Sequence, residues 1–339
     1  MIGYTRQLSE LRAVDAERFG GKSASLGELL GAGVPVPGGF ALAASAFEAM
    51  IAESRLGPRI AARLDALDHS DVATVASAAE EIRRAIHEAS LPPAIVREIV
   101  SRYSALSAPP VAVRSSAIGE DSEAATFAGQ QETYLWIRGE DALCDAVRAC
   151  WASLYAAPAL SYRARLGAPH PAMGVTVQRM VKPVVSGVMF TCSPLSGAPS
   201  MVAVNASWGL GEAVVGGEVT PDEYLLSKVT GELVRERIGE KSIEYAAAPG
   251  GGTVRVEVER ERAGRRCLDD SQLAALLELA LRVEQHFGSR QDIERAIAID
   301  GEISLLQSRP VTVSAPKPPA PTGSAMALVM STFGVRETR

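Results

Sequence analysis

The sequence predicts an α+β protein, and three observations predict it. Amphipathic, alanine-rich patterns of helical period fill much of the first half of the chain. Short strand-like runs dominate the middle, from 173 to 258. A closing pair of apolar-alternating runs flanks Asp300-Gly301, a turn dipeptide, and reads as a β-hairpin. Helices gathered in one region and strands in another mark this class, as opposed to regular alternation of the two.

The elements follow in order. Residues 22–32, KSASLGELLGA, read as a helix with Gly33 as its stop. The run 34–40, VPVPGGF, is extended and stiff. Ser45 with Glu48 fits a capping box that opens a helix to about Leu56. Residues 71–89 and 93–105 are helical and amphipathic. Val111-Ala112-Val113-Arg114 is a short strand ending in Ser115-Ser116, and a polar loop then runs to Gly129. A strand over 133–137 and a helix over 141–155 come next. Strands follow at 173–182, 186–192, 201–206, 222–228, 232–238 and 253–258, then a helix at about 270–287 and the hairpin. Pro183 marks a break near 183–185. The expected organisation is a first subdomain over 1–184, a second over 185–314, and a Pro-rich linker and tail over 315–339, opening with APKPPAPT.

At 339 residues the chain holds roughly two domains or subdomains. The formal net charge of -6 argues against a general binder of nucleic acid or of anionic membranes, while leaving room for a local basic pocket. No apolar run approaches the roughly 20 residues a bilayer span needs, and Met1 to Arg6 lacks a basic-then-apolar signal. Cys144, Cys150, Cys192 and Cys267 form no CxxC pair, and their spacings do not point to zinc. A reducing cytoplasm is the expected location.

Candidate chemistry begins at the hairpin. Period-2 alternation puts Asp292 and Glu294 on one face of its first strand, and Gln307 and Arg309 on one face of its second. Carboxylate and carboxamide oxygens suit Mg²⁺, and a guanidinium suits phosphate oxygens. The same alternation also describes a solvated hairpin face. Gly20-Gly21-Lys22-Ser23 resembles the end of a phosphate-binding loop, but Ala16 stands where that motif needs glycine and no apolar strand precedes it. What survives is Lys22 in the first turn of a helix, either an anion contact or a surface lysine. Arg114 leaves a strand end beside Ser115 and Ser116, where it could grip phosphate oxygens. The loop 122–133 could lay backbone N–H groups over a polyphosphate, or be an ordinary loop. Gln178-Arg179-Met180-Val181 ends a strand and could line a nucleobase or be core. Glycine-rich turns lie at 207–212 and 216–217, and the Asp222 carboxylate could serve a ligand or be exposed.

Five segments together resemble the ATP-binding domain of the phosphoenolpyruvate synthase and pyruvate phosphate dikinase family, which includes rifampicin phosphotransferases. They are GGKSASLGELLGAGVPVPGGFAL, VAVRSSAIGEDSEAATFAGQQETYL, SGVMFTCSPLSG, NASWGLGEAVVGGEVTPDEYLLSK and QDIERAIAIDGEISLLQSRPVT, spanning about 19–313. The resemblance implies an ATP-grasp-like fold of two subdomains with the nucleotide between them. It implies that Lys22 and Arg114 bind phosphates, that the loop from Ser115 to Gly129 covers the triphosphate, with Thr133 beside it, and that Gln178, Met180 and Val181 line adenine. Glu294 and Gln307 would hold Mg²⁺ with Asp292 in support, Arg309 would stabilise the transferring phosphoryl group, and Asp222 is a further candidate contact. Family members pass the ATP β-phosphoryl to a histidine on a separate swivelling domain, which then phosphorylates a small-molecule acceptor. None of His69, His87, His170 and His286 lies in a TxSHxA-like or GGxTCHxA-like context. The expected partner is therefore a histidine-bearing domain or subunit outside these residues, as in the split phenylphosphate synthase. A nucleotide-binding regulatory module, and an ATP-grasp ligase or kinase acting directly on a substrate, remain alternatives. Arg295 is a departure, standing where family members often carry an aromatic residue.

Overall fold

In the computed structural model, residues 3–68, 71–119, 132–166, 172–194 and 196–311 are described. Gly129 and the Pro-rich stretch 315–322 lie outside them.

The first part of the chain builds β1 (Thr5–Gln7), α1 (Ala16–Phe19), α2 (Gly21–Gly31), β2 (Gly39–Leu42), α3 (Ala44–Glu53), α4 (Gly57–Asp65), α5 (Val72–Glu88) and α6 (Pro93–Ala105). Then come β3 (Val111–Ala117), β4 (Thr133–Ile137), α7 (Glu140–Ser153), α8 (Ala157–Leu166) and β5 (Met173–Arg179). The strands form an antiparallel sheet in the order β1-β2-β5-β3-β4. Phe40, Leu42, Val111, Val113, Val175 and Val177 point to one face and pack on Ile82, Ile86, Ile95, Ile99, Val147 and Trp151 of the helices. The opposite face carries Ala112, Arg114, Thr176 and Gln178, as period 2 dictates.

The chain changes sheets between Arg179 and Pro183. The second part contains β6 (Pro183–Phe190), β7 (Met201–Trp208), α9 (Glu212–Val215), β8 (Asp222–Ser227), β9 (Leu233–Arg237), β10 (Ile243–Ala247), β11 (Thr253–Glu257), α10 (Arg260–Ala263), α11 (Asp270–Phe287), β12 (Gln291–Ala298) and β13 (Ile303–Pro310). Six strands pair in the order β13-β12-β6-β7-β8-β9, while β10 and β11 form a separate ribbon. The helix α11 covers one face of the six-stranded sheet with Leu273, Leu276, Leu277, Ala280 and Val283, one stripe at helical spacing. Its start is fixed by a capping box, in which Asp269 accepts from Gln272 N at 2.8 Å and Gln272 Oε1 accepts from Asp269 N at 2.9 Å.

Two regions join these sheets. Leu29 and Val34, from the end of α2 and the extended run after it, belong to the core beneath the second sheet. Leu305 N donates to Pro35 O at 2.8 Å, and Ser25 Oγ to Ser308 O at 2.8 Å. The α2 helix is thus shared between the two halves.

Several sequence expectations change. The Ser45–Glu48 capping box does not form. Ala43 is the N-cap, held by its N–H bond to Tyr4 O, so α3 begins at Ala44 and Ser45 falls inside its first turn. That helix ends at Glu53, and α4 is a separate element with Pro58 in its first turn. The pattern also did not announce β1, α8 or β10. Arg295 occupies the core face of β12, fully buried, with Nη2 donating to Asn205 O at 3.1 Å. Its partner in the ladder is Gly187, and burial lowers its pKa to about 10.

Candidate functional site

The closing hairpin presents its polar face through register. Asp292 pairs with Arg309, and Glu294 with Gln307, so all four side chains leave one face. A bulge follows, because the next pair is Arg295 with Leu305, leaving Leu306 unpaired. The Leu306 carbonyl is then available to Arg114 of the first sheet, whose Nη1 donates to it at 3.2 Å. The Arg114 guanidinium continues across the hairpin face. Nη1 donates to Gln307 Oε1 at 3.3 Å, and Nη2 to Glu294 Oε2 at 3.0 Å. Its Nε is buried with no hydrogen-bond partner among the described residues. Arg309 Nη2 and Nε lie 2.8 and 2.9 Å from Asp292 Oδ2. Burial raises the Asp292 pKa, against the opposing pull of Arg309.

Lys22 and Ser115 flank Arg114. The start of α2 packs against β3, where Lys22 Nζ donates to Ser115 O at 3.0 Å and Ser23 N to Ser116 Oγ at 3.2 Å. Ser23 Oγ meets Thr176 Oγ1 at 2.7 Å. This contact explains the glycine at position 20. Gly20 has φ +82°, and a Cβ there would lie 2.1 Å from Ser116 O. The helix start can approach the strand only without a side chain at that position.

Between the sheets lies a cleft of about 400 Å³. Arg114, Thr133, Gln178, Met180, Val181 and Glu294 line it, so sequence candidates separated by up to 180 positions meet there. Gln178 is 2 % exposed, and its Nε2 donates to Pro37 O at 3.4 Å. The far wall is apolar, with Val188, Leu210 and Val215, joined by Tyr245 of the ribbon. Glu212 also lines this wall and was not singled out from the sequence. Its Oε1 accepts from Thr253 Oγ1 at 3.2 Å, while Oε2 is buried with no partner among the described residues. Burial raises its pKa, with the nearby Glu218 adding to the effect and Thr253 opposing it. The available signal was the WGLGE turn, a glycine-rich turn that ends in a carboxylate.

Asp222 is not brought to the cleft, a correction to the sequence reading. It is fully buried, with Lys241 Nζ at 2.5 Å, Gly239 N at 2.9 Å and Cys267 N at 2.9 Å from its oxygens. Tyr224 Oη and Cys267 Sγ also donate to it at 3.0 Å. Burial favours the protonated form, but these hydrogen bonds outweigh it and hold the carboxyl below its usual range. A carboxylate with so many donors has a structural task, which the strand-start position in the sequence could not reveal.

The hairpin also bears on cation binding. Among the described residues, no group of three or more His, Cys, Asp or Glu gathers as a metal cluster. The hairpin instead offers two carboxylates and one amide oxygen on one face. Such a hard-oxygen set, short of a full shell, fits Mg²⁺ that takes its remaining ligands from phosphates and water. Among the described residues, no helix is long and apolar enough to cross a membrane.

A family model described as pyruvate phosphate dikinase, AMP/ATP-binding domain, matches residues 16–326. A protein of Methanothermobacter thermautotrophicus, described as a probable phosphoenolpyruvate synthase, is 42 % identical over 320 residues, covering 92 % of this chain and 46 % of its own length. The phosphoenolpyruvate synthase of Pseudomonas aeruginosa is 41 % identical over 335 residues, covering 92 % of this chain and 42 % of its own. A rifampicin phosphotransferase of a Streptomyces species is 40 % identical over 322 residues, covering 92 % of this chain and 37 % of its own. The chain thus spans less than half the length of these relatives.

Proposed function

The chain belongs to the pyruvate phosphate dikinase AMP/ATP-binding domain family, and from that premise we propose that it is the ATP-binding component of a dikinase-type phosphotransferase. In this reading ATP gives AMP, and its γ-phosphoryl is taken by water and leaves as Pi. The β-phosphoryl passes to a histidine on a separate domain or subunit, which phosphorylates a small-molecule acceptor bound elsewhere. The observation that carries the reading is the convergence of Arg114 on Glu294 and Gln307 at the cleft. It supplies cationic and oxygen-donor groups side by side, as polyphosphate with a divalent cation requires.

The arrangement is ATP-grasp-like, with subdomains 1–184 and 185–314 enclosing the nucleotide and 315–339 as a linker and tail. Gln178, Met180 and Val181 line adenine, with Val188 and Leu210 on the far wall. The unpartnered Glu212 oxygen accepts from the ribose hydroxyls. Lys22, Arg114, Ser115 and Thr133 hold the phosphates. Glu294 and Gln307, supported by Asp292, would hold Mg²⁺, which when bound screens phosphate charge. Arg309 donates to the phosphoryl oxygens as charge redistributes, and electrostatic positioning is the main demand of such a transfer.

The test uses β-labelled and γ-labelled ATP with Mg²⁺, the chain, and a histidine-bearing swivel domain from a phosphoenolpyruvate synthase relative. Label reaching the histidine from the β position only, with AMP formed, is the expected result. Nucleotide binding with no turnover under any condition would instead identify a binding module, and ADP with Pi formed from a carboxylate substrate without the histidine domain would identify a ligase.

A further inference from the structure

The arginines proposed to hold phosphate and the oxygens proposed to hold the cation are bonded to each other. Arg114 donates to Glu294 Oε2 at 3.0 Å and to Gln307 Oε1 at 3.3 Å, and Arg309 to Asp292 Oδ2 at 2.8 Å. All three oxygen-bearing side chains of the set therefore already accept from a guanidinium. Resting on the nucleotide reading above, we propose that this site is a charge-exchange device: guanidinium and divalent cation compete for one oxygen set, and the cation binds well only when a polyphosphate takes over the arginines.

The physical argument is one of distance and screening. A divalent cation sits about 2.1 Å from its oxygen ligands. With guanidinium nitrogens about 3 Å from the same groups, the two cationic centres come within roughly 4–5 Å, where repulsion is strong unless water screens it. Arg114 is only 8 % exposed, so its repulsion is poorly screened. The Arg309 side chain is 49 % exposed and its pair with Asp292 contributes less. Polyphosphate resolves the conflict, because its oxygens accept from both arginines and leave the carboxylates to the cation. The buried Arg114 Nε, which has no hydrogen-bond partner among the described residues, gives the guanidinium a further donor to offer on that exchange. Nucleotide and cation would thus arrive as one unit, and the protein alone would ignore free divalent cations.

The test titrates Mn²⁺ into the nucleotide-free chain and reads free Mn²⁺ by electron paramagnetic resonance. Wild type should bind weakly. Arg114→Gln should bind about tenfold or more tightly and Arg309→Gln a few-fold more tightly, as expected from removing a neighbouring positive charge. Arg114→Lys, which keeps the charge, should stay close to wild type. Adding Glu294→Gln to Arg309→Gln should cancel the gain and so locate the ion. Tight Mn²⁺ binding by the nucleotide-free wild type, or unchanged affinity in both glutamine variants, overturns the proposal. Arg309 lies on the exposed part of the hairpin, so its variant keeps the test decisive if Arg114→Gln unfolds. A parallel titration of wild type with a fluorescent Mg-ATP analogue separates the two readings. Failure there refutes the nucleotide site itself, whereas binding there with unmoved Mn²⁺ affinities refutes only the exchange.

Discussion

Arg114 owes its position to the strand that carries it. Every residue of β3 is buried, so the guanidinium leaves a rigid base and reaches the hairpin without conformational freedom to spare. Glu294 is its partner and a proposed cation ligand. Glu294→Ala should weaken Mg-ATP binding by tenfold or more, measured by calorimetry, and unchanged affinity would remove it from the cation set. Arg309 is more exposed and pairs with Asp292, and neither of them lines the cleft. Arg309→Ala should abolish transfer to histidine while leaving nucleotide affinity within a few-fold, checked by single-turnover assay beside equilibrium binding. Glu212 makes a different prediction, because a hydroxyl-binding carboxylate discriminates against ligands lacking the hydroxyl. Wild type should prefer ATP to 2′-deoxy-ATP or 3′-deoxy-ATP, and Glu212→Ala should lose the preference. The accepting form is the carboxylate, and burial raises the Glu212 pKa. The preference should therefore strengthen as pH rises through that raised value and fade in acid.

Two elements show how local pattern and neighbour contacts divide the work. The α11 helix carries its own instructions, a capping box at Asp269 and Gln272 and a continuous leucine stripe, and its expected span of about 270–287 matches Asp270–Phe287. The start of α2 is different. Gly20-Gly21-Lys22 looks like phosphate-loop chemistry in sequence, yet Gly20 is required by the closeness of Ser116. Gly20→Ala should destabilise the protein by about 2–4 kcal/mol in urea unfolding, from backbone strain at positive φ and a clash with strand backbone. It should also displace Lys22 and so weaken nucleotide binding. Nothing in the linear pattern around residue 20 could indicate this, because the constraint comes from a strand nearly a hundred positions later. The same holds for Ser45 and Glu48, a correct capping signature overruled when Tyr4 O fixed Ala43 as the cap.

On the scale of the molecule, the second half buries more charge than its composition suggests. Lys241 and Asp222 form a fully buried pair, and Arg295 is also fully buried. Removing one member of a buried pair strands the other, so Asp222→Asn should cost about 3–5 kcal/mol at neutral pH. The folded protein holds the Asp222 carboxyl below its ordinary value of 3.8. Its contribution is therefore complete above that value and lost as pH falls through the lower folded one. Urea unfolding of wild type and variant should show their gap narrowing only below about pH 4. A gap that stays constant to lower pH would contradict the pairing. This cluster explains why an aspartate beginning a strand, read from sequence as a ligand contact, serves the core instead.

Much of the molecule was legible in its sequence because the relevant signals are local. Period 2 placed Asp292, Glu294, Gln307 and Arg309 on one hairpin face, and the ladder register agrees. Period 3.6 marked most of the long helices, and the order of motifs identified the family. Tertiary structure alone decided what those residues touch. The bulge at Leu306, the reach of Arg114 to Glu294 across 180 positions, the unpartnered Glu212 oxygen and the withdrawal of Asp222 into the core all depend on contacts between distant segments. Side-chain direction along an element follows from backbone geometry, which a sequence carries in its spacing. Partnership between elements depends on packing and on which buried charge finds which donor, and that is settled only when the two sheets close on each other.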